Sequence, residues 1–100
     1  MRIEKTNLAD VVVLVPQPFR DNRGLFTRTF DAEIFDEYIG TPGTSATFVQ
    51  DSQSRSVLGV IRGMHGRSGR RQAKLVRCAN GAVSDVLVDI RRDSPTFGEQ

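Results

Sequence analysis

The sequence has few of the residues that build disulfide frameworks, metal centres or membrane spans. It contains one cysteine and one histidine in 100 residues. A lone Cys78 cannot form an intramolecular disulfide, so we expect a reducing, cytoplasmic environment. Cys78 and His65 by themselves are too few ligands for a zinc site, so we expect no metal. No apolar run approaches the roughly 20 residues of a membrane helix, and the N-terminal segment lacks the apolar core of a signal peptide, so we expect no membrane partner.

Acidic residues are absent between Asp51 and Asp85, although the whole chain has a net charge of only +2. The basic residues in this interval are Arg55, Arg62, Arg67, Arg70, Arg71, Lys74 and Arg77. Such a stretch favours an anionic ligand, and the charge alone fits a solvated basic loop equally well.

Several motifs that would define the ligand are missing. The chain has no glycine-rich phosphate loop of the P-loop or dinucleotide type, and no Ser/His/Asp arrangement with supporting context. A small nucleic-acid-binding β module is one hypothesis for the basic stretch. The stretch lacks the interleaved aromatic residues on which bases stack, so we rank this hypothesis last and expect no nucleic-acid partner.

Most of the remaining pattern predicts short strands separated by turns. A β-branched run at residues 11–15 is ended by Pro16, and a turn at residues 21–24 precedes an alternating run at residues 25–30. Further strands are predicted at residues 47–50, 57–61, 73–79 and 82–90. The last two are joined by Asn80-Gly81, a strong hairpin signal.

One helix is predicted between these strands. Asp31 is the expected N-cap, one apolar face carries Ile34, Phe35, Tyr38 and Ile39, and Gly40 ends the helix. The pattern therefore indicates a mainly antiparallel β fold with one short helix, closed as a sandwich or small barrel. About six short strands do not cover both faces, which implies a second chain or a further C-terminal half.

Two residues are candidates for acid–base chemistry. His65 follows a predicted strand and lies between Gly63 and Gly66, which would let the backbone turn and present the imidazole at a pocket. The nearby arginines favour the neutral imidazole that a base requires. Lys74 alternates with apolar residues and could stabilise an oxyanion. From the pattern alone, His65 also fits a surface loop histidine, and Lys74 a solvent-facing lysine.

Other residues are candidates for ligand contacts. Arg62 and Arg55 could hold phosphate oxygens by bidentate hydrogen bonds, or could be rim charges. Arg23 and Phe26 could pair a phosphate contact with an aromatic wall, although Phe26 also fits an ordinary core position. Gln50 could read a nucleobase edge or simply end a strand.

Consecutive blocks of the chain resemble the dTDP-4-dehydrorhamnose 3,5-epimerase family. The first block is Asp21-Asn22-Arg23-Gly24-Leu25-Phe26. The later ones lie at residues 48–56, 59–65, 74–77, 85–92 and 94–98, and all of them run in family order across about residues 10–100.

The resemblance implies a cupin-type jelly roll of which residues 1–100 are the N-terminal part, lacking the C-terminal half. It also implies a homodimer that exchanges strands, an isomerase activity and no cofactor. The implied substrate is a dTDP-4-keto-6-deoxyhexose of rhamnose-type deoxysugar biosynthesis, epimerised at C3, C5 or both. By similarity, His65 is the base and Lys74 supports the enolate. Arg62 would contact the diphosphate or sugar, Arg23 and Phe26 the nucleotide, and Gln50 the thymine side.

The chain departs from the family pattern at three places. Gly66-Arg67 replaces Tyr-Gln after the histidine, Arg28 replaces an acidic residue, and Ser52-Gln53 replaces Asn-His. These changes indicate a divergent member. The family's second half supplies the tyrosine acid, and Tyr38 does not match it. A second hypothesis is therefore a catalytically incomplete dTDP-sugar-binding remnant.

Overall fold

A computed structural model describes residues 1–38, 48–69 and 72–100. In chain order the elements are β1 (Arg2–Lys5), β2 (Val12–Val15), β3 (Phe19–Asp21), β4 (Gly24–Phe26) and α1 (Ala32–Tyr38). β1 pairs with β2 and β3 pairs with β4, both antiparallel. Within the described ranges, the expectation of a mainly antiparallel β architecture with one short helix is confirmed.

The first sheet joins a predicted strand to one that the pattern did not reveal. β2 lies within the predicted run at residues 11–15, because its β-branched side chains suit the extended backbone. Its partner β1 was missed, since Ile3 is the only apolar side chain among the four residues of β1. Ile3 lies opposite Leu14, and both are half-buried.

The second sheet is a short hairpin across the predicted turn. Gly24 has a φ of +128°, a conformation that L side chains rarely adopt, and it lies opposite Asp21. The strand predicted at residues 25–30 ends at Phe26, which corrects that prediction. Phe26 pairs with Phe19, and the next position on the partner strand is Pro18, which has no N–H to continue the ladder.

The predicted helix is confirmed at its N-terminus. The Oδ1 of Asp31 accepts hydrogen bonds from the amides of Glu33 and Ile34, at 3.1 and 3.4 Å, as an N-cap does. Arg28 bonds the other carboxylate oxygen at 2.8 Å. The hydrogen bond from Arg28, followed by that from the Ile34 amide, lowers the pKa of Asp31. The predicted end at Gly40, and Ile39 on the apolar face, lie outside the described residues.

A small aromatic cluster surrounds Phe35 of α1. Phe35 is 2% exposed, and its ring centroid lies 5.8 Å from that of Phe30 and 5.0 Å from that of Phe48. Phe30 and Phe48 also meet edge to face at 5.8 Å. The cluster therefore links the helix to the start of the segment that carries Gln50.

A polar cluster near the end of the chain holds the loop after β1. The side chain of Asp89 is 3% exposed and binds Arg91 Nε at 2.9 Å and Nη2 at 2.8 Å. Arg91 Nη1 reaches Asp10 at 2.6 Å, across 81 positions of sequence. The hydroxyls of Ser94 and Thr96 complete the shell around Asp89. The hydrogen bonds from Arg91, and next from Ser94, hold the pKa of Asp89 far below its usual range.

The strands predicted at residues 48–50, 57–61, 73–79 and 82–90 do not form among the described residues; residue 47 of the first lies outside them. Residues 57–60 instead make a turn in which the Val60 amide bonds the Val57 carbonyl. Asn80-Gly81 does bend the chain, with Gly81 at φ 80°, but the flanking arms do not pair. None of these segments pairs with another in a ladder of backbone hydrogen bonds, without which an extended segment is not a strand. At residue 89 the Asp89 amide donates to the Glu99 carbonyl and the Gly98 amide donates to the Asp89 carbonyl, but this contact is not extended into a ladder. Ile61 is accordingly 95% exposed.

No helix in the described part of the chain is both long and apolar enough to cross a membrane.

Candidate functional site

Arg62 is held by the loop that precedes it. Its Nε donates to the Ser56 hydroxyl at 3.0 Å, and its Nη2 donates to the Arg55 carbonyl at 3.2 Å. The turn at residues 57–60 brings these acceptors back toward Arg62. Both acceptors are neutral, so the guanidinium keeps its full positive charge for an anion.

His65 lies in the exposed loop that follows Arg62. Gly63, two positions before it, has a φ of +137°, and a residue with a side chain would be strained in that conformation. Gly66 follows it and faces Ile90, whose Cδ1 would lie 3.4 Å from a Cβ added at residue 66. The histidine loop is therefore adjacent to Ile90, the last residue of the segment at residues 82–90.

Lys74 and Gln50 are exposed and lie outside any strand. Lys74 makes no ion pair with another residue of the described ranges, so its ammonium is available to a ligand. The structure does not join His65 to Lys74: no hydrogen bond or ion pair among the described residues connects any two of the six predicted site residues.

Arg23 and Phe26 are on the β3–β4 hairpin. Arg23 is in the turn and binds the Asp21 carboxylate, with Nη2 at 2.6 Å and Nε at 3.1 Å from Oδ2. The Arg23 amide also donates to Asp21 Oδ1 at 2.9 Å. The side-chain bond, then the backbone bond, lowers the pKa of Asp21, and the same carboxylate raises the pKa of Arg23. Phe26 is 72% exposed, so it is not an ordinary core residue here.

Two clefts lie away from these six residues. One, of about 530 Å³, is between the first sheet and α1 and includes Ile3, Val12, Ile34 and Tyr38 in its walls. The other, of about 500 Å³, is beside Pro16 and Phe19. Neither is lined by a predicted site residue.

Two residues that touch the predicted arginines were missed from the sequence. Asp21 pairs with Arg23 across two positions, and Ser56 pairs with Arg62 across six. The signal for Asp21 was available, because an Asp two residues before an Arg in a tight turn can bond both its amide and its guanidinium. Among the described residues, no three His, Cys, Asp or Glu side chains are grouped as a metal site would require.

Comparison with known proteins gives these residues a family context. The family model described as dTDP-4-dehydrorhamnose 3,5-epimerase matches residues 5–100. The chain is 48% identical to the dTDP-4-dehydrorhamnose 3,5-epimerase of Salmonella typhimurium, over 99% of this chain and 53% of the relative. It is 45% identical to the Escherichia coli protein of the same name, over 99% of this chain and 52% of the relative.

A more distant relative has a narrower name. The dTDP-4-dehydrorhamnose 3-epimerase of Streptomyces niveus is 39% identical, over 98% of this chain and 46% of the relative. The chain thus spans about half the length of these curated relatives. No solved structure matches it. With nearly the whole chain covered by the family model, and with relatives well above 30% identity, this chain belongs to the dTDP-4-dehydrorhamnose 3,5-epimerase family.

Proposed function

We propose that the whole protein epimerises a dTDP-4-keto-6-deoxyhexose at C3, C5 or both, in rhamnose-type deoxysugar biosynthesis. The observation that carries this proposal is the family match over residues 5–100, which includes all six predicted site residues. Relatives of both names, 3,5-epimerase and 3-epimerase, match the chain, and the exchange experiment below distinguishes the two outcomes.

The proposed chemistry begins with proton removal from a carbon beside the C4 ketone. His65 takes the proton, and the electron pair of the C–H bond moves toward the carbonyl oxygen to form an enolate. Lys74 stabilises the negative charge on that oxygen. A proton donor then protonates the carbon from the opposite face, which inverts it. His65 and Lys74 are both exposed, which leaves the two groups accessible to such a substrate.

Binding in this proposal depends on two arginines, an aromatic side chain and a glutamine. Arg62 contacts the diphosphate or the sugar, because its charge is not neutralised by a carboxylate of the described chain. Arg23 and Phe26 contact the nucleotide, and Gln50 contacts the thymine side. The reaction as proposed uses no metal or other cofactor.

The fold and assembly in this proposal extend beyond the described elements. A cupin-type jelly roll would supply strand partners for the segments that form no strand here, and a homodimer would share them. The apolar side chains of Val57, Leu58 and Ile61 are 79%, 103% and 95% exposed, and their burial against a partner would be favourable, which supports such pairing. The proposed location is the cytoplasm.

Deuterium exchange tests the proposed function. The whole protein is incubated with a dTDP-4-keto-6-deoxyhexose in deuterated water, and NMR follows the C3 and C5 positions. Deuterium entering either position supports the epimerase. Saturable dTDP binding without exchange would instead identify the binding remnant. Absence of both dTDP binding and deuterium exchange would contradict the epimerase and the binding remnant alike.

A further inference from the structure

The turn between β3 and β4 contains an arginine that is already oriented before any ligand arrives. The side chain of Arg23 is 85% exposed, yet three of its contacts to Asp21 are hydrogen bonds of 2.6 to 3.3 Å. An exposed arginine without such a partner samples many rotamers and loses that freedom on binding a ligand. Asp21 therefore removes part of the entropy cost in advance.

The geometry of the pair leaves one edge of the guanidinium open. A guanidinium has five N–H donors, and Asp21 occupies the edge formed by Nε and Nη2. The two N–H groups of Nη1 and the second N–H of Nη2 are not used by Asp21. They point along the other edge, which matches two oxygens of a phosphate in a bidentate arrangement. Arg23 can therefore bind the Asp21 carboxylate and an anionic ligand at the same time, through different edges of its guanidinium.

Arg23 and Arg62 differ in what holds them. Both are held along the Nε–Nη2 edge, but Arg62 bonds a hydroxyl and a carbonyl, whereas Arg23 bonds a carboxylate. The charge of Arg23 is locally balanced, so its contribution to anion binding comes mainly from directed hydrogen bonds rather than from long-range attraction. Orientation is then what Asp21 provides.

We propose that Asp21 is a positioning residue that orients Arg23 for the diphosphate or nucleotide of the substrate. This inference rests on the proposed function, because that function supplies the anion. Asp21 itself touches no reacting atom, so its removal should weaken binding and leave the rate of the bound complex unchanged.

The experiment is a double-mutant cycle on the whole protein with D21N, R23A and the D21N/R23A pair. D21N keeps an Oδ1 acceptor for the Arg23 amide, so the turn survives while the charged pair is lost. E4Q is the matched control, since Glu4 also pairs with an exposed arginine, Arg2, at 2.6 Å, in a place without an assigned role. Calorimetry measures the Kd of dTDP, and steady-state kinetics measures KM and kcat.

We expect D21N to raise Kd and KM by about two- to tenfold, the range expected for ordering one long side chain, with kcat unchanged. We expect no further rise in Kd or KM when D21N is added to R23A, and no change in either constant for E4Q. Unchanged or tighter binding by D21N would overturn the inference, and so would an equal loss in the R23A background, which would indicate a purely structural turn. If the unsubstituted protein binds no dTDP, the proposed function itself is wrong. If it binds dTDP but D21N does not weaken binding, only the positioning role of Asp21 is wrong.

Discussion

Removing the Phe35 ring should destabilise the protein far more than removing an exposed phenylalanine. Phe35 is 2% exposed, and with Leu8 it is one of only two buried hydrophobic residues in the described ranges. Truncation of a buried phenylalanine to alanine costs about 3–5 kcal/mol, from lost burial and the cavity that remains. The seven-residue α1 is too short to be stable alone, so it depends on this packing.

The variants F35A and F35L separate the contribution of side-chain burial from that of the ring contacts, and F19A is the control at an exposed ring. F35L keeps an apolar side chain but loses the ring contacts to Phe30 and Phe48, which are worth about 0.5–1.5 kcal/mol each. Its cost should therefore lie between those of the other two. Phe19 is 74% exposed, so F19A should change the free energy of unfolding by less than about 0.5 kcal/mol.

Urea denaturation of the whole protein, followed by far-UV circular dichroism, measures these differences. Equal midpoints for F35A and F19A would refute the reasoning, because they would mean that the aromatic cluster contributes no more than an exposed ring. A greater loss for F35L than for F35A would refute the cavity argument.

Two further predictions concern the polar cluster and the proposed oxyanion contact. The pKa of Asp89 in the folded protein lies below its unfolded value of about 3.9, so the unfolded chain takes up the proton first as pH falls. The stability that Asp89 contributes is therefore present at neutral pH and is lost progressively below about pH 4. D89N should therefore have a lower Tm than the unsubstituted protein at pH 7, with a gap that narrows toward pH 3; a gap independent of pH would contradict the assignment. K74M should lower kcat by about 10²- to 10³-fold with a smaller change in KM, and K74R should retain more activity than K74M; a loss confined to KM would show that Lys74 only binds substrate.

Local features of the fold were predictable from the sequence. The turn before Gly24 and the cap at Asp31 depend on residues within a few positions of each other, and both are present. The early end of β4 could also have been predicted, had the pairing with β3 been known, because Pro18 stops it.

Features that depend on distant partners were not predictable. The ion pair of Arg91 with Asp10 joins residues 81 positions apart, and nothing in either local sequence identifies the other. The segments at residues 57–61 and 82–90 have strand-like composition, but a strand needs a neighbour, and the pattern cannot specify one. The same limit applies to the site, because the sequence pattern identified His65 and Lys74 as candidates but could not give the distance between them.

We propose that His65 removes the proton beside the ketone. The most direct test is the rate of solvent deuterium incorporation into a dTDP-4-keto-6-deoxyhexose by the whole protein, compared with H65A and with C78S, which changes an exposed cysteine outside the predicted site. We expect exchange by the unsubstituted protein and C78S, and a loss of exchange rate of about 10²- to 10⁴-fold in H65A. Exchange by H65A at the unsubstituted rate would contradict it.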